Sequence, residues 1–162
     1  MTGERTVATE FDLSELAPRI VQASAAVATG RLRLASPRDT LERLVNGDAE
    51  VIAQFRNELA HQIGSTLIWM DPHVIAVYQD PSSVPNKLDA PLCVIVHVEN
   101  ETAALRNLIP ALGDALREAE LDGLRPLRRM PLEAAIVDER SLRLADRGYL
   151  VVRGDVEPLV AR

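Results

Sequence analysis

Apolar positions along this chain recur with two different periods, helical at first and then strand-like. Leu13, Leu16, Ile20 and Val27 share one helical face. The start of that helix is marked either by Asp12, with Glu15 as a reciprocal cap, or by Pro18 as its first residue, and Gly30 is its expected end. Residues 31–34 alternate arginine and leucine, which suits a short edge strand. Ser36 followed by Pro37 and Asp39 opens a second helix that stops at Asn46-Gly47. Asp48 caps a third, with Val51, Ile52, Phe55, Leu59 and Ile63 facing a core and Gly64 as its expected end.

The period then shortens. Residues 73–78 and 92–98 are β-branched runs that read as buried strands, and the proline-rich stretch 81–91 between them reads as a loop. Asn100 is the expected cap of a helix carrying Leu105, Leu108, Ile109, Leu112 and Leu116 on one face and closing at Asp122-Gly123. Pro110 removes a backbone donor and should kink this helix near Arg106. Residues 132–137 give a third strand and 141–147 a short helix. The stretches 149–152 and 156–160 then flank Gly154-Asp155 as a hairpin, with Pro158 confining the last strand to an edge. The pattern predicts an α+β (or α/β) fold, a small mixed β-sheet with packed helices preceded by an N-terminal three-helix segment. The expected divisions are a loose stretch 1–11, a helical segment 12–66 and an α/β domain 67–162.

Composition narrows the function classes. At 162 residues, 47% hydrophobic and 26% charged, the chain can bury a full core. Its net charge of −6 argues against general affinity for nucleic acid or anionic lipid. Lysine and arginine total 18, and all but Lys87 are arginine, a bias suited to a GC-rich, bacterial genome. Against the acidic background Arg125, Arg128 and Arg129 form a local basic cluster able to grip a phosphate or an acidic partner, or simply to solvate a loop. No charged-then-apolar leader opens the chain and no apolar run reaches membrane-spanning length, which predicts a cytoplasmic protein without membrane association. Cys93, the sole cysteine, lies in an apolar strand as an expected inert thiol.

The order strand, loop, strand, helix, strand over roughly the second half of the chain resembles the minimal nucleotidyltransferases of the DNA polymerase beta superfamily. That resemblance implies a Gly-Ser turn after the first strand, two acids opening the second and a third acid on the later strand. Together they would hold two magnesium ions about 3.5 to 4 Å apart. This sequence has Tyr78-Gln79-Asp80 at the turn, Asp89-Ala90-Pro91 at the acid pair, and Glu133 for the third acid. The resemblance therefore implies a degenerate scaffold. An active version would use Asp89 and Glu133, with Asp80 as a substitute magnesium ligand and Arg128 or Arg129 on triphosphate.

Other constellations give rival readings. Residues 36–63 outline a helix-turn-helix, but the second helix offers only Arg56 as a cation and is expected to expose Glu50 and Glu58, so a structural hairpin is favoured. Arg56 and His61 have the spacing seen in HEPN ribonucleases, where histidine acts as acid or base and arginine stabilises phosphate charge. Five helical residues separate their faces by about 140°, however. Cys93 and His97 share a strand face roughly 13 Å apart, too far for a dyad. His61, His73 and His97 with Glu99 lack the close spacing of zinc ligands. The function expected is a non-catalytic interaction or regulatory protein with a protein partner or as a homo-oligomer, needing no cofactor. A magnesium-dependent nucleotidyltransferase and a HEPN-like ribonuclease are the alternatives.

Overall fold

The computed structural model of the chain describes residues 12–80, 83–138 and 157–162. Among them, helices α1 (Leu13–Leu32), α2 (Pro37–Val45) and α3 (Ala49–Met70) precede strands β1 (Val74–Gln79) and β2 (Leu92–Val98). Helix α4 (Ala103–Glu118), strand β3 (Leu132–Val137) and the short strand β4 (Val160–Ala161) follow. The strands form one mixed sheet in the order β3-β2-β1-β4. β1 is antiparallel to both its neighbours, while β2 and β3 are parallel and joined through α4. This is a small α+β fold, and no helix among the described residues is long and apolar enough to cross a membrane.

Helix starts follow from side chains that satisfy the first free amides. Asp12 accepts from the Ser14 amide at 3.0 Å and from its hydroxyl at 2.6 Å, bonds that hold the Asp12 carboxyl below its ordinary range. Ser36 accepts from the Asp39 amide at 3.1 Å, with Pro37 in the first turn, and Asp48 accepts from the Val51 amide at 3.3 Å. The cap of α4 is Thr102, which accepts from Leu105 at 3.1 Å, two residues beyond the Asn100 read from sequence.

Helix ends depart further from expectation. α1 runs through Gly30 and closes on Arg33, whose φ of 56° lets its amide reach Gly30 at 3.3 Å and the next amide, of Leu34, reach Thr29 at 3.0 Å. Residues 31–34 are thus a helix terminus and not an edge strand; Leu32 and Leu34 both pack on the core. α2 ends as expected, with Gly47 at φ 81° in the same pair of closing bonds. α4 continues through the exposed Pro110 but stops at Glu118. Asp122 and Gly123, at φ 54° and 77°, instead form a tight turn in which Leu121 and Leu124 exchange backbone hydrogen bonds of 2.8 and 3.0 Å.

α3 does not stop at Gly64 either, and the reason is packing. A Cβ built there would lie 2.8 Å from Val160 Cγ2 and 3.2 Å from Val77 Cβ, so the glycine lets the helix lie close against β1 and β4. Phe55, Leu59, Ile63 and Leu67 repeat every fourth residue along the same helix and are all buried. They meet Val74, Val77, Leu92, Val94, Val96 and Val98 from one face of the sheet in a single core shared with α1 and α4. The other sheet face carries a second buried cluster of Ala76, Tyr78, Ile95 and Val137.

β2 and β3 occupy the residues read from sequence, and β1 is shifted by one. β4 lies at the sheet edge, but it covers Val160–Ala161 where the sequence pattern predicts 156–160, and Pro158 stands outside it. The expected helix at 141–147 and most of the expected terminal hairpin lie outside the described residues. Glu58, expected to be exposed, is buried. It accepts from Gln54 at 3.0 Å and pairs with Arg31 of α1 at 3.0 Å, tying two helices together where a DNA-reading face would need to be free.

Replacing Gly64 by valine should force α3 off the sheet and destabilise the protein by about 2 kcal/mol, an overpacking cost. Urea denaturation measures this, and an unchanged midpoint would contradict the close approach.

Candidate functional site

Arg56 follows Phe55 on the buried side of α3, and the residue is only 2% exposed. A buried guanidinium must find acceptors, because its five donors cannot be neutralised by deprotonation at ordinary pH. Nη1 donates to the carbonyls of Leu88 and Ala90 at 3.2 and 2.7 Å, and Nη2 to that of Pro91 at 2.9 Å. Nε is buried without a hydrogen-bond partner, and no carboxylate pairs with Arg56 among the described residues. Burial accordingly pushes the Arg56 pKa below its usual value, though the nearby Cys93 opposes the shift. The side chain expected to assist His61 in phosphate chemistry is committed to holding a loop.

That loop forms one wall of a large cavity among the described residues, about 880 Å³. Residues 87–90 face the corner between α2 and α3 (Leu44, Val45, Ile52) on one side and residues 120–129 on the other. Leu127 and Met130 are fully buried three residues apart, and the turn bonds Arg128 N–H to Arg125 O and Met130 N–H to Leu127 O shape the segment between. With those two side chains anchored in the core, Arg125, Arg128 and Arg129 are left exposed, and all three line the cavity. Lys87 joins them from the opposite wall, and Asp89 and Glu120 also border the space. Arg125 pairs with Glu118 at 3.8 Å; Lys87, Arg128 and Arg129 make no ion pair among the described residues.

The carboxylates that the nucleotidyltransferase resemblance would place on magnesium are divided between two sites. Cys93 and Glu133 are register partners on β2 and β3, and the Asp80 amide donates to the Cys93 carbonyl at 3.0 Å. Asp80, Cys93 and Glu133 therefore border one small cavity of about 210 Å³ at a sheet end, whereas Asp89 borders the large one. The Cys93 thiol donates to Glu133 Oε1 at 3.7 Å, a long contact. Burial first, then the charges of Glu133 and Asp80, push the thiol pKa up, so a protonated sulfur sits between the two acids. Magnesium demands an octahedron of oxygens, and two carboxylates flanking a neutral thiol do not fit a two-magnesium centre.

No group of three or more histidine, cysteine or acidic side chains comes close enough to hold a metal among the described residues. His73 stands 3.8 Å from Glu99 as a surface pair, and His61 is half-buried on α3. Sequence reasoning identified the three arginines but missed Lys87 and the aliphatic floor of Leu44, Val45, Ile52 and Leu124. No sequence-local signal links segments so far apart. Cys93, read as buried, is only partly so.

Two outcomes test this geometry. Arg56→Ala would leave three loop carbonyls without their donor and should cost about 3 kcal/mol of stability, measured by urea unfolding; a change within experimental error would mean the loop holds itself. Because its raised pKa keeps Cys93 protonated near pH 8, alkylation by iodoacetamide should be slower there than for a free cysteine and accelerate as pH rises. Glu133→Gln removes a raising charge and should speed the reaction at pH 8; no acceleration would show that the carboxylate does not govern the thiol.

No family model matches the chain, and comparisons with curated proteins and with solved structures likewise give no match.

Proposed function

We propose that this chain is a non-catalytic binding or regulatory protein of the cytoplasm that recognises an anionic group at the large cavity. One observation carries the reading. In a chain of net charge −6, Lys87, Arg125, Arg128 and Arg129 converge on a single cavity, and three of the four lack a carboxylate partner among the described residues. Like charges gathered from segments about forty residues apart repel one another, and an anion bound between them relieves that repulsion. Elsewhere Arg31, Arg38, Arg43, Arg106 and Arg117 each pair with an acid; Arg19 and Arg33 are exposed and unpaired among the described residues as well, but neither lines the cavity, so it is convergence more than the lack of a partner that sets the site apart.

The scaffold belongs to the same proposal. The strand, loop, strand, helix, strand order of β1, β2, α4 and β3 supports a degenerate nucleotidyltransferase-like framework. The separation of Asp89 from Asp80 and Glu133 favours binding over metal-dependent transfer. In this reading, occupancy of the cavity is what a protein partner, or a second copy of the chain, senses.

Calorimetric titration with inorganic tripolyphosphate, without magnesium, tests the proposal. Saturable binding is expected, weakened at least tenfold (about 1.4 kcal/mol) in an Arg128→Ala, Arg129→Ala double variant and unaffected by Asp80→Asn with Glu133→Gln. Binding should also weaken as salt rises. No saturable heat, or equal heat from the arginine variant, overturns it. Magnesium-dependent turnover of ATP that Asp80→Asn or Glu133→Gln abolishes would favour an enzyme instead.

A further inference from the structure

Resting on that reading of the cavity, we infer that its ligand is an aliphatic anion, a phosphate or carboxylate head carrying a hydrocarbon chain. Three features of the lining lead there.

The first is size. A cavity of about 880 Å³ is far larger than an isolated phosphate requires and falls within the range of sites that enclose whole small molecules. Asp89 and Glu120 share the lining with the four cations, Glu120 from the arginines' own wall and Asp89 from that of Lys87, so the positive charge is partly offset and the space does not favour negative charge throughout. A ligand with one anionic group and an uncharged remainder suits that balance.

The second is the apolar surface left open. Val45 and Leu124 are 59% and 37% exposed, two of the four large hydrophobic side chains exposed among the described residues. Both line this cavity, and both also line a neighbouring one of about 310 Å³ that reaches Leu41. Together they form a short apolar seam between the two cavities, continued by Leu41 and bordered in the second by Arg38, Glu42, Asn46 and Asp122. Covering such a seam with hydrocarbon removes water from both surfaces.

The third is the kind of apolar residue. Leu44, Val45, Ile52, Leu88 and Leu124 are aliphatic, and no aromatic ring lines either cavity among the described residues. A nucleobase would find only arginine planes and no aromatic ring to stack on here, whereas an alkyl chain needs only aliphatic walls. Arg56 adds preorganisation, since it fixes the carbonyls of Leu88 and Ala90 and hence the wall that bears Lys87 and Leu88. A site already shaped spends less of its binding free energy on ordering itself.

The experiment uses the full chain and alkyl phosphates below their micelle-forming concentrations. Butyl, hexyl and decyl phosphate are titrated calorimetrically beside tripolyphosphate, decanoate and ATP. Affinity should rise roughly fourfold per added methylene until the seam is filled, for phosphate and carboxylate heads alike, and the slope should separate this site from simple charge attraction. A Val45→Gln, Leu124→Gln variant should lose the chain-length gain while keeping tripolyphosphate affinity; both residues are exposed, so the fold is spared. If decyl phosphate binds and decanoate does not, the ligand is a phosphorylated amphiphile; the reverse assigns a free fatty acid, and either result upholds the inference.

Affinity independent of chain length, or a gain that the variant keeps, overturns the inference while tripolyphosphate binding leaves the proposed function standing. Tight ATP binding without a chain-length effect also overturns it, in favour of a nucleotide. So does binding seen only with vesicles containing anionic phospholipid, which would point to a membrane surface. Failure of every anion, tripolyphosphate included, removes both readings.

Discussion

One wall of the large cavity, and the start of the central strand beside it, depend on one buried cation. Between β1 and β2 the chain travels through a long stretch rich in proline and turn formers, the kind of connection that does not order itself. Arg56 orders its far end by donating to three carbonyls within four residues, and β2 begins immediately after the last of them. The arrangement is costly, since a buried arginine gives up much of its hydration and receives no carboxylate among the described residues in return. Carbonyl dipoles offset part of that cost, and the planar fork meets acceptors at different points of the loop in a way a lysine could not. Fixing the loop puts Lys87 and Asp89 on the cavity wall and starts β2 in the register that sets Cys93 beside Glu133.

α3 is the element through which this constraint reaches the rest of the fold. Its 22 residues span about 33 Å, enough to serve several neighbours in turn. Near its start Ile52 reaches the cavity and Arg56 holds the loop; one residue past Asn57, Glu58 turns to Arg31 of α1. Farther on, Ile63 and Leu67 lie in the core, and Gly64 brings the backbone against β1 and β4. At the far end Arg162, the last residue, donates to the carbonyls of Ile68, Asp71 and Val74 and so pins β4 to the helix exit. A displacement of α3 would disturb the cavity wall and the sheet edge together.

What could be read from the sequence divides along the range of the interactions involved. Strands β2 and β3 were legible because β-branched runs bounded by proline carry their own signal. The caps at Asp12, Ser36 and Asp48 were legible because a capping side chain bonds only two or three residues away. Glycines misled in proportion to their distance from local geometry. Gly47 ends a helix, but Gly64 serves a contact with β4 nearly a hundred residues on, and Arg33 takes a left-handed conformation where glycine was expected. Asp122-Gly123 carried a true turn signal whose partner structure was mistaken for a helix end. The three arginines of the site stood out as a local cluster. The acids did not sort correctly, because Asp80 and Glu133 meet through strand register and Asp89 is carried away by the loop.

The placement of acids and cations argues for a single side of this protein as its business end. Salt bridges elsewhere pair arginines with acids three to five residues away or across neighbouring helices, as an acidic chain can easily arrange. Of the four cations around the cavity only Arg125 has such a partner among the described residues. Leu127 and Met130 plunge into the core and oblige the intervening Arg128 and Arg129 outward, and the buried Arg56 adds a further charge behind the opposite wall. Field lines from these groups are concentrated by a concave, partly apolar surface and are weakly screened there compared with an open face. On the proposed reading, a molecule whose overall charge repels anions would thereby select them by position, since no other cavity gathers four cations among the described residues, and an anion with a hydrocarbon body would gain additionally from the seam that Val45 and Leu124 leave uncovered.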